Sequence, residues 1–332
     1  MKHTFKITLI LLAMFLVTQL IGLFVVNSYL PKQILFFNST TGQYENVTIQ
    51  QPLPYGMQPP PMEAAPSLIS IIISFIIAIV LLLILVKYKW KFLIRAWFFV
   101  VVILALSLAF NAFLKNFTSY SYLVVLLLAI PLAYLKIYKP SVILHNFTEL
   151  LIYPGIAAVF VPIFNIWTII IFLILISIYD IWAVWRSGIM QKMAKFQMNE
   201  LKIFGGFFVP YMSRKVRQQI AKFKKSKNKG KGRGIKVNLA ILGGGDVVFP
   251  VITAGVILSQ ANQGKLPSFF SYLATPLFNI PGLAAALLVV FGSALALLFL
   301  FVLSEKKKFY PAMPFISAGI FLALLIWRLF FF

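Results

Sequence analysis

Two residues of this 332-residue chain carry the clearest chemical content, Asp180 and Asp246. They are its only aspartates, and both lie inside apolar stretches, SIYDIWAVW and ILGGGDVVF. An ionisable group inside a membrane span costs ~2.5–3.5 kcal/mol or more at the helix centre, so each reads first as a functional group. Two carboxyls brought together at low dielectric cannot both ionise, and the pair then shares one proton. That arrangement can hydrolyse an amide: one carboxylate takes a proton from water while its protonated partner donates to the scissile carbonyl. Other chemistries are poorly supplied. Cysteine is absent, which excludes a thiol nucleophile, a disulfide and a thiolate-held metal. The two histidines, His3 and His145, cannot build a multi-histidine metal site, and no H-E-x-x-H helix occurs. His145 and Glu149 stand four apart, share a helix face and read as a structural hydrogen-bonded pair.

Two backbone features accompany the aspartates. Gly243, Gly244 and Gly245 run directly into Asp246. Each weakens a helix by roughly 1 kcal/mol relative to alanine. Small residues also let a second backbone come close, either a peptide to be cut or simply a neighbouring helix. Further on, Tyr310-Pro311-Ala312-Met313-Pro314 opens the last apolar run. Two prolines three apart free backbone groups and interrupt a helix. The same pattern also suits a plain helix start with proline in its first turn.

The elements that must position these groups are membrane helices. The chain is 61% hydrophobic and 11% charged, with a mean hydropathy of +0.95, against ~25% charged for a soluble chain. Nine apolar runs are long enough to cross a ~30 Å hydrocarbon core, at about 7–28, 67–86, 94–113, 119–135, 141–162, 165–185, 237–259, 281–303 and 311–331. The expected fold is an all-α polytopic membrane protein of nine transmembrane helices. Transmembrane β-barrels use ~10-residue alternating strands and do not fit.

Orientation follows from Lys and Arg in the loops. With the N-terminus inside, 26 of the 30 fall on the inner side, and omitting the long 186–236 loop leaves 11 inside against 4 outside. The N-terminus is expected to be cytoplasmic and the C-terminus extracytoplasmic. The net charge of +23 then belongs to a basic inner face suited to anionic lipid headgroups, not to nucleic acid. Three parts result: a six-helix part, 1–185, with Asp180; a basic loop, 186–236; and a three-helix part, 237–332, with Asp246. The outer 31–66 loop is proline-rich and is expected to be extended and uncompacted. Within the inner loop, 189–212 suits a short interfacial helix and 222–236 is expected to be flexible.

Tyr179-Asp180, Gly243-Gly244-Gly245-Asp246 and Pro311-Ala312-Met313 together resemble the YD, GxGD and Pro-Ala-Leu elements of the presenilin and signal-peptide-peptidase families of intramembrane aspartyl proteases. The resemblance covers chiefly 165–331, and the nine-run count extends it loosely to the whole chain. Its orientation is that of the presenilin branch, and its short length is similar to prokaryotic, in particular archaeal, members. The resemblance implies that Asp180 and Asp246 are the catalytic pair. Tyr179 and the three glycines would support the site, and Pro311, Ala312 and Met313 would form part of a substrate wall. It implies transmembrane-helix substrates, a multi-pass protein of the prokaryotic cell membrane, and no metal or organic cofactor. A homo-oligomer is left open. Met313 departs from the family's leucine. The rival reading is a proton- or ion-coupled transporter or channel using the same aspartates, though no inverted repeat is evident.

Overall fold

The computed structural model describes residues 5–38, 42–49, 51, 54, 68–88, 90–115, 117, 120–187, 204–211, 238–304 and 310–331. Within them nine α-helices follow the nine apolar runs: α1 (Phe5–Tyr29), α2 (Leu68–Lys87), α3 (Lys91–Leu114), α4 (Ser121–Tyr138), α5 (Val142–Phe160), α6 (Ile166–Ile181), α7 (Gly244–Asn262), α8 (Leu283–Leu303) and α9 (Met313–Phe331). Seven of them are long and apolar enough to cross a membrane, α5 and α6 counted with the turns that continue them, and α9 has a shorter apolar stretch, Met313–Leu329. Their outward faces carry large apolar side chains such as Phe92, Leu127, Ile143 and Leu329, all more than 70% exposed. A soluble monomer seldom shows so continuous an apolar surface, whereas lipid tails cover it without penalty.

The chain is not purely helical, contrary to the all-α expectation. Lys32–Asn38 (β1) and Gln43–Ile49 (β2) form an antiparallel hairpin, paired from Lys32↔Ile49 to Asn38↔Gln43. The 31–66 loop therefore starts as ordered sheet. Its prolines fall mostly after residue 51, whereas the segments before them contain β-formers, QILFFN and QYENVTI. A second hairpin joins Gly206–Tyr211 (β3) to Asn238–Gly243 (β4). Here the sequence reading placed an interfacial helix up to 212 and a span from 237. The described part of the first, 206–211, is strand, while 188–203 and the expected flexible stretch 222–236 lie outside the described residues. The second becomes strand up to Gly243, and its helix begins seven residues later than expected.

At the centre stands α7, with 67% of its apolar window buried, more than any other helix. It packs against α1, α5, α6, α8 and α9, and its Val247, Val251, Ala254 and Leu258 are sealed from the surface. Helices α3 and α4 pack beside α5 around a second cluster of small residues, Ala105, Ala109, Ala129 and Ala133. The closest approach with consequences for the site joins α8 to α9. Gly292-x-x-x-Ala296 on α8 faces Gly319-x-x-x-Ala323 on α9. A methyl at Gly292 would sit 2.5 Å from the Gly319 carbonyl oxygen and 2.6 Å from the Ala323 methyl. Small residues on both helices are what allow this contact in a membrane. Gly292→Val is expected to separate the pair and destabilise the protein by about 3 kcal/mol, read as a lowered melting temperature in detergent.

Candidate active site

Asp180 lies in the last turn of α6. A capping box starts that helix at its opposite end: Asn165 Oδ1 accepts from the Thr168 amide at 2.9 Å, and Thr168 Oγ1 accepts from the Asn165 amide at 2.8 Å. Beyond Ile181 the chain runs into a π-helical turn, Trp182–Ser187. Such turns carry one residue extra per turn and break the α-helical register. Asp180 is buried at 6% exposure. Its Oδ2 accepts from the backbone N–H of Met313 at 3.0 Å, and the Ala312 amide also bears on it.

That contact explains the proline element. Met313 is the first residue of α9, and the first turn of any helix has N–H groups with no intrahelical partner. Pro311 and Pro314 have no N–H at all. Ala312 and Met313 are therefore the donors left between them, and both turn toward Asp180. One turn away Ser177 Oγ meets Ser317 Oγ at 3.0 Å, so α6 and α9 are tied at two successive levels. Ser177 also donates to the Leu173 carbonyl. The Met313 side chain is buried, but its link to Asp180 runs through the backbone. Met313→Leu should therefore leave cleavage of a single-span peptide within about threefold, since the swap conserves volume. Met313→Pro removes the donor from a position that tolerates proline's shape, and should abolish the same cleavage.

Asp246 is the third residue of α7. Gly243 is the N-cap, in an extended conformation (φ −64°, ψ 145°), and its amide donates to the Asp246 side chain. An acid at this position commonly reaches back in that way. Farther along, Pro250 has no N–H for the Asp246 carbonyl four residues before it. Gln19 of α1, fully buried, donates through Nε2 to the neighbouring Val247 carbonyl at 2.9 Å. Asp246 lies close enough to Asp180 to feel its charge. Phe172 of α6 and Phe249 of α7 meet edge to face at 5.8 Å behind them.

The three glycines are not equivalent. A methyl at Gly244 would lie 2.7 Å from the Tyr153 hydroxyl, 3.0 Å from the edge of the same ring and 3.2 Å from the Gly205 carbonyl, which accepts from the Gly244 amide. At Gly243 it would approach the Asp246 carboxylate itself, at 3.0 Å. Gly245 is exposed, and its nearest neighbour would be the Phe249 ring at 3.6 Å. Open space thus begins beside Asp246 at Gly245. Tyr179 is not gathered into this arrangement: it is 46% exposed, with its ring 6.2 Å from that of Trp182.

A family model described as signal-peptide peptidase, presenilin aspartyl protease matches residues 48–332. The chain belongs to that family. Its members are intramembrane hydrolases, and the transporter reading finds no support. Two solved structures, both described as a presenilin family intramembrane aspartate protease, share the fold. The one in space group C222 has a TM-score of 0.57 at 16% identity, covering 97% of this chain and 98% of that one. The one in P2 has a TM-score of 0.53 at 15% identity, covering 96% of each. No curated protein sequence matches significantly.

Sequence reasoning about this intramembrane aspartyl protease family member misses Lys136. It was counted among the lysines of the basic inner face, but it is buried at 6% exposure. Its Nζ lies 2.7 Å from Glu149 Oε1, 3.2 Å from Thr148 Oγ1 and 3.3 Å from His145 Nδ1. His145 and Glu149 form the pair expected from their spacing, at 3.5 Å, with the lysine as an unforeseen third member. A lysine near a helix end carries no sequence mark that distinguishes turning inward from reaching toward headgroups.

Proposed function

We propose that the protein hydrolyses peptide bonds of transmembrane-helix substrates with Asp180 and Asp246 as a shared-proton pair. What carries the reading is the meeting of the three sequence elements: Asp180 on α6, held by the amides that open α9, faces Asp246 at the start of α7. In the first step the ionised carboxylate takes a proton from water as the water oxygen bonds to the scissile carbonyl carbon. The other carboxyl gives its proton to the carbonyl oxygen, leaving a tetrahedral diol. In the second step the C–N bond breaks, a proton passes to the leaving nitrogen, and a carboxylic acid and an amine remain. The proton belongs to the pair and not to one named aspartate.

The chain would cross the membrane nine times with its N-terminus cytoplasmic, so that the basic face lies beside the site and water enters from that side. A prokaryotic cell membrane suits this arrangement. Substrate must be unwound before attack. The backbone groups of Leu239 and Ile241 on β4 have no partner among the described residues, and this strand leads directly into Asp246. An opened peptide could pair there as an added strand, with Gly245 leaving room for its backbone.

The test is cleavage of a single-span peptide by detergent-purified protein, with and without a transition-state-mimicking aspartyl-protease inhibitor, across pH. Inhibitor-sensitive cleavage with a bell-shaped kcat/KM is expected. The rate should fall toward acid as the base takes up a proton, and toward alkali as the acid loses its own. Cleavage indifferent to the inhibitor and monotonic in pH would overturn the reading.

A further inference from the structure

The β3–β4 hairpin has two outward edges, and among the described residues only one of them is open. Asn146 of α5 holds both backbone groups of Phe208: its Oδ1 accepts from the Phe208 amide at 3.1 Å, and its Nδ2 donates to the Phe208 carbonyl at 2.9 Å. Phe208 therefore faces away from β4. Because pairing alternates along an antiparallel ladder, Gly206 and Pro210 face outward with it. The Gly206 carbonyl accepts from His145 Nε2 at 2.8 Å, and Pro210 has no N–H to offer. The outer edge of β3 is thus blocked at Phe208, where both backbone groups are taken, and keeps only one group at each of Gly206 and Pro210. The same alternation turns Leu239, Ile241 and Gly243 outward on β4, where the Gly243 amide is taken by Asp246.

The hold on β3 is itself supported. Donation to Gly206 fixes the hydrogen of His145 on Nε2 and leaves Nδ1 to accept from Lys136. Lys136 is anchored by Glu149 and Thr148, and all four side chains are buried. His145 also stacks on the Phe208 ring, with centroids 4.5 Å apart. Nothing in this set touches Asp180. Two links lead to Asp246: β3 pairs with β4 and the Gly205 carbonyl receives the Gly244 amide two residues before it, and Tyr153, which feels Glu149, packs on Gly244.

We infer that Asn146, backed by the buried His145–Lys136–Glu149 cluster, is a positioning clamp that locks β3 in one register on α5, sets Gly243–Asp246 through the hairpin, and leaves β4 as the single edge open to an unwound peptide. The consequence for cleavage rests on the protease reading; the lock itself does not. Two-stranded ribbons specify register weakly unless something pins them. Released, β3 would slip by the two-residue step that preserves its faces, ~7 Å along the strand, or expose a second edge.

The experiment uses the full chain in detergent. Asn146→Leu keeps the size and removes both hydrogen bonds; Asn146→Asp keeps an acceptor for the Phe208 amide and loses the donor. Amide exchange is followed by mass spectrometry over 204–211 and 238–246, with α8 as internal reference, and cleavage products of a single-span peptide are mapped. In the leucine variant we expect exchange in both segments to accelerate about tenfold or more with α8 unchanged. Cuts about two residues from the main site should appear, and kcat/KM should fall about tenfold. The aspartate variant should fall between, and it carries the test if the leucine variant does not fold. Unchanged exchange in a folded variant overturns the clamp. So does a loosened hairpin with wild-type products and kcat/KM within about twofold. If the wild type cuts nothing while the leucine variant loosens the hairpin, the protease reading fails and the clamp stands.

Discussion

Asp180→Asn and Asp246→Asn should each abolish cleavage while the protein stays folded. The amide oxygen of asparagine can still accept from the Met313 amide at position 180, and from the Gly243 amide at position 246, so the contacts that tie α9 to α6 and cap α7 survive. What is lost is the proton chemistry, since an amide can neither take a proton from water nor deliver one to a carbonyl oxygen. A positioned acid or base contributes typically 10²–10⁴-fold. Each single variant should lose at least that much, and the double variant little more, because the two groups act as a unit. Rates with a single-span peptide, beside melting curves, check this. Near-wild-type turnover by a folded variant would remove that aspartate from the mechanism.

Gly244→Ala should be the most damaging of the glycine substitutions. Its methyl has no room between the Tyr153 ring, at 3.0 Å, and the Gly205 carbonyl, at 3.2 Å, with the Tyr153 hydroxyl closer still at 2.7 Å. The carbonyl belongs to the hairpin, and Tyr153 is buried with its ring edge-on to Phe207 at 5.6 Å, so neither retreats easily. The first turn of α7 must move instead and carry Asp246 with it. A displacement near 1 Å at a reacting group costs ~10²-fold in rate, and kcat/KM should fall by about that much. Adding Tyr153→Phe deletes the nearest atom and should restore several-fold of the loss. Gly245→Ala is the control: its methyl meets nothing closer than 3.6 Å, so melting should be unchanged and any effect confined to KM. Equal damage from the two glycine substitutions would show that the Tyr153 contact is not the cause.

Much of this was legible in the residues. The apolar runs give the helices to within a few positions, except at the start of α7, and the placement of Asp180 and Asp246 inside those runs singles them out as candidates. Hairpin β3–β4 was not legible, for two physical reasons. NLAILG is a short apolar segment fused to a helix, and periodicity does not separate strand from buried helix over six residues. Its partner lies beyond a separation of 26 residues, so the pairing that makes it a strand is non-local. The proline element was readable only as one of two alternatives. Its part in the site became evident with the donors it leaves free, because the interaction belongs to the backbone and not to the Met313 side chain. Tyr179 is adjacent to Asp180 in sequence but not in direction: successive helix residues point ~100° apart, and Tyr179 faces outward.

The position of Asp246 within α7 bears on what becomes of a cut substrate. The helix has 19 residues, close to the ~30 Å of a hydrocarbon core at 1.5 Å each, and Asp246 is its third. Under the proposed mechanism scission would fall near one end of a span, not at its middle. A substrate helix lying alongside α7 would keep some sixteen apolar residues on one fragment, enough to hold that piece in the bilayer. The other fragment would carry only a few apolar residues and would be free to leave into water. Such a cut would discharge one half of a protein from the membrane and strand the other.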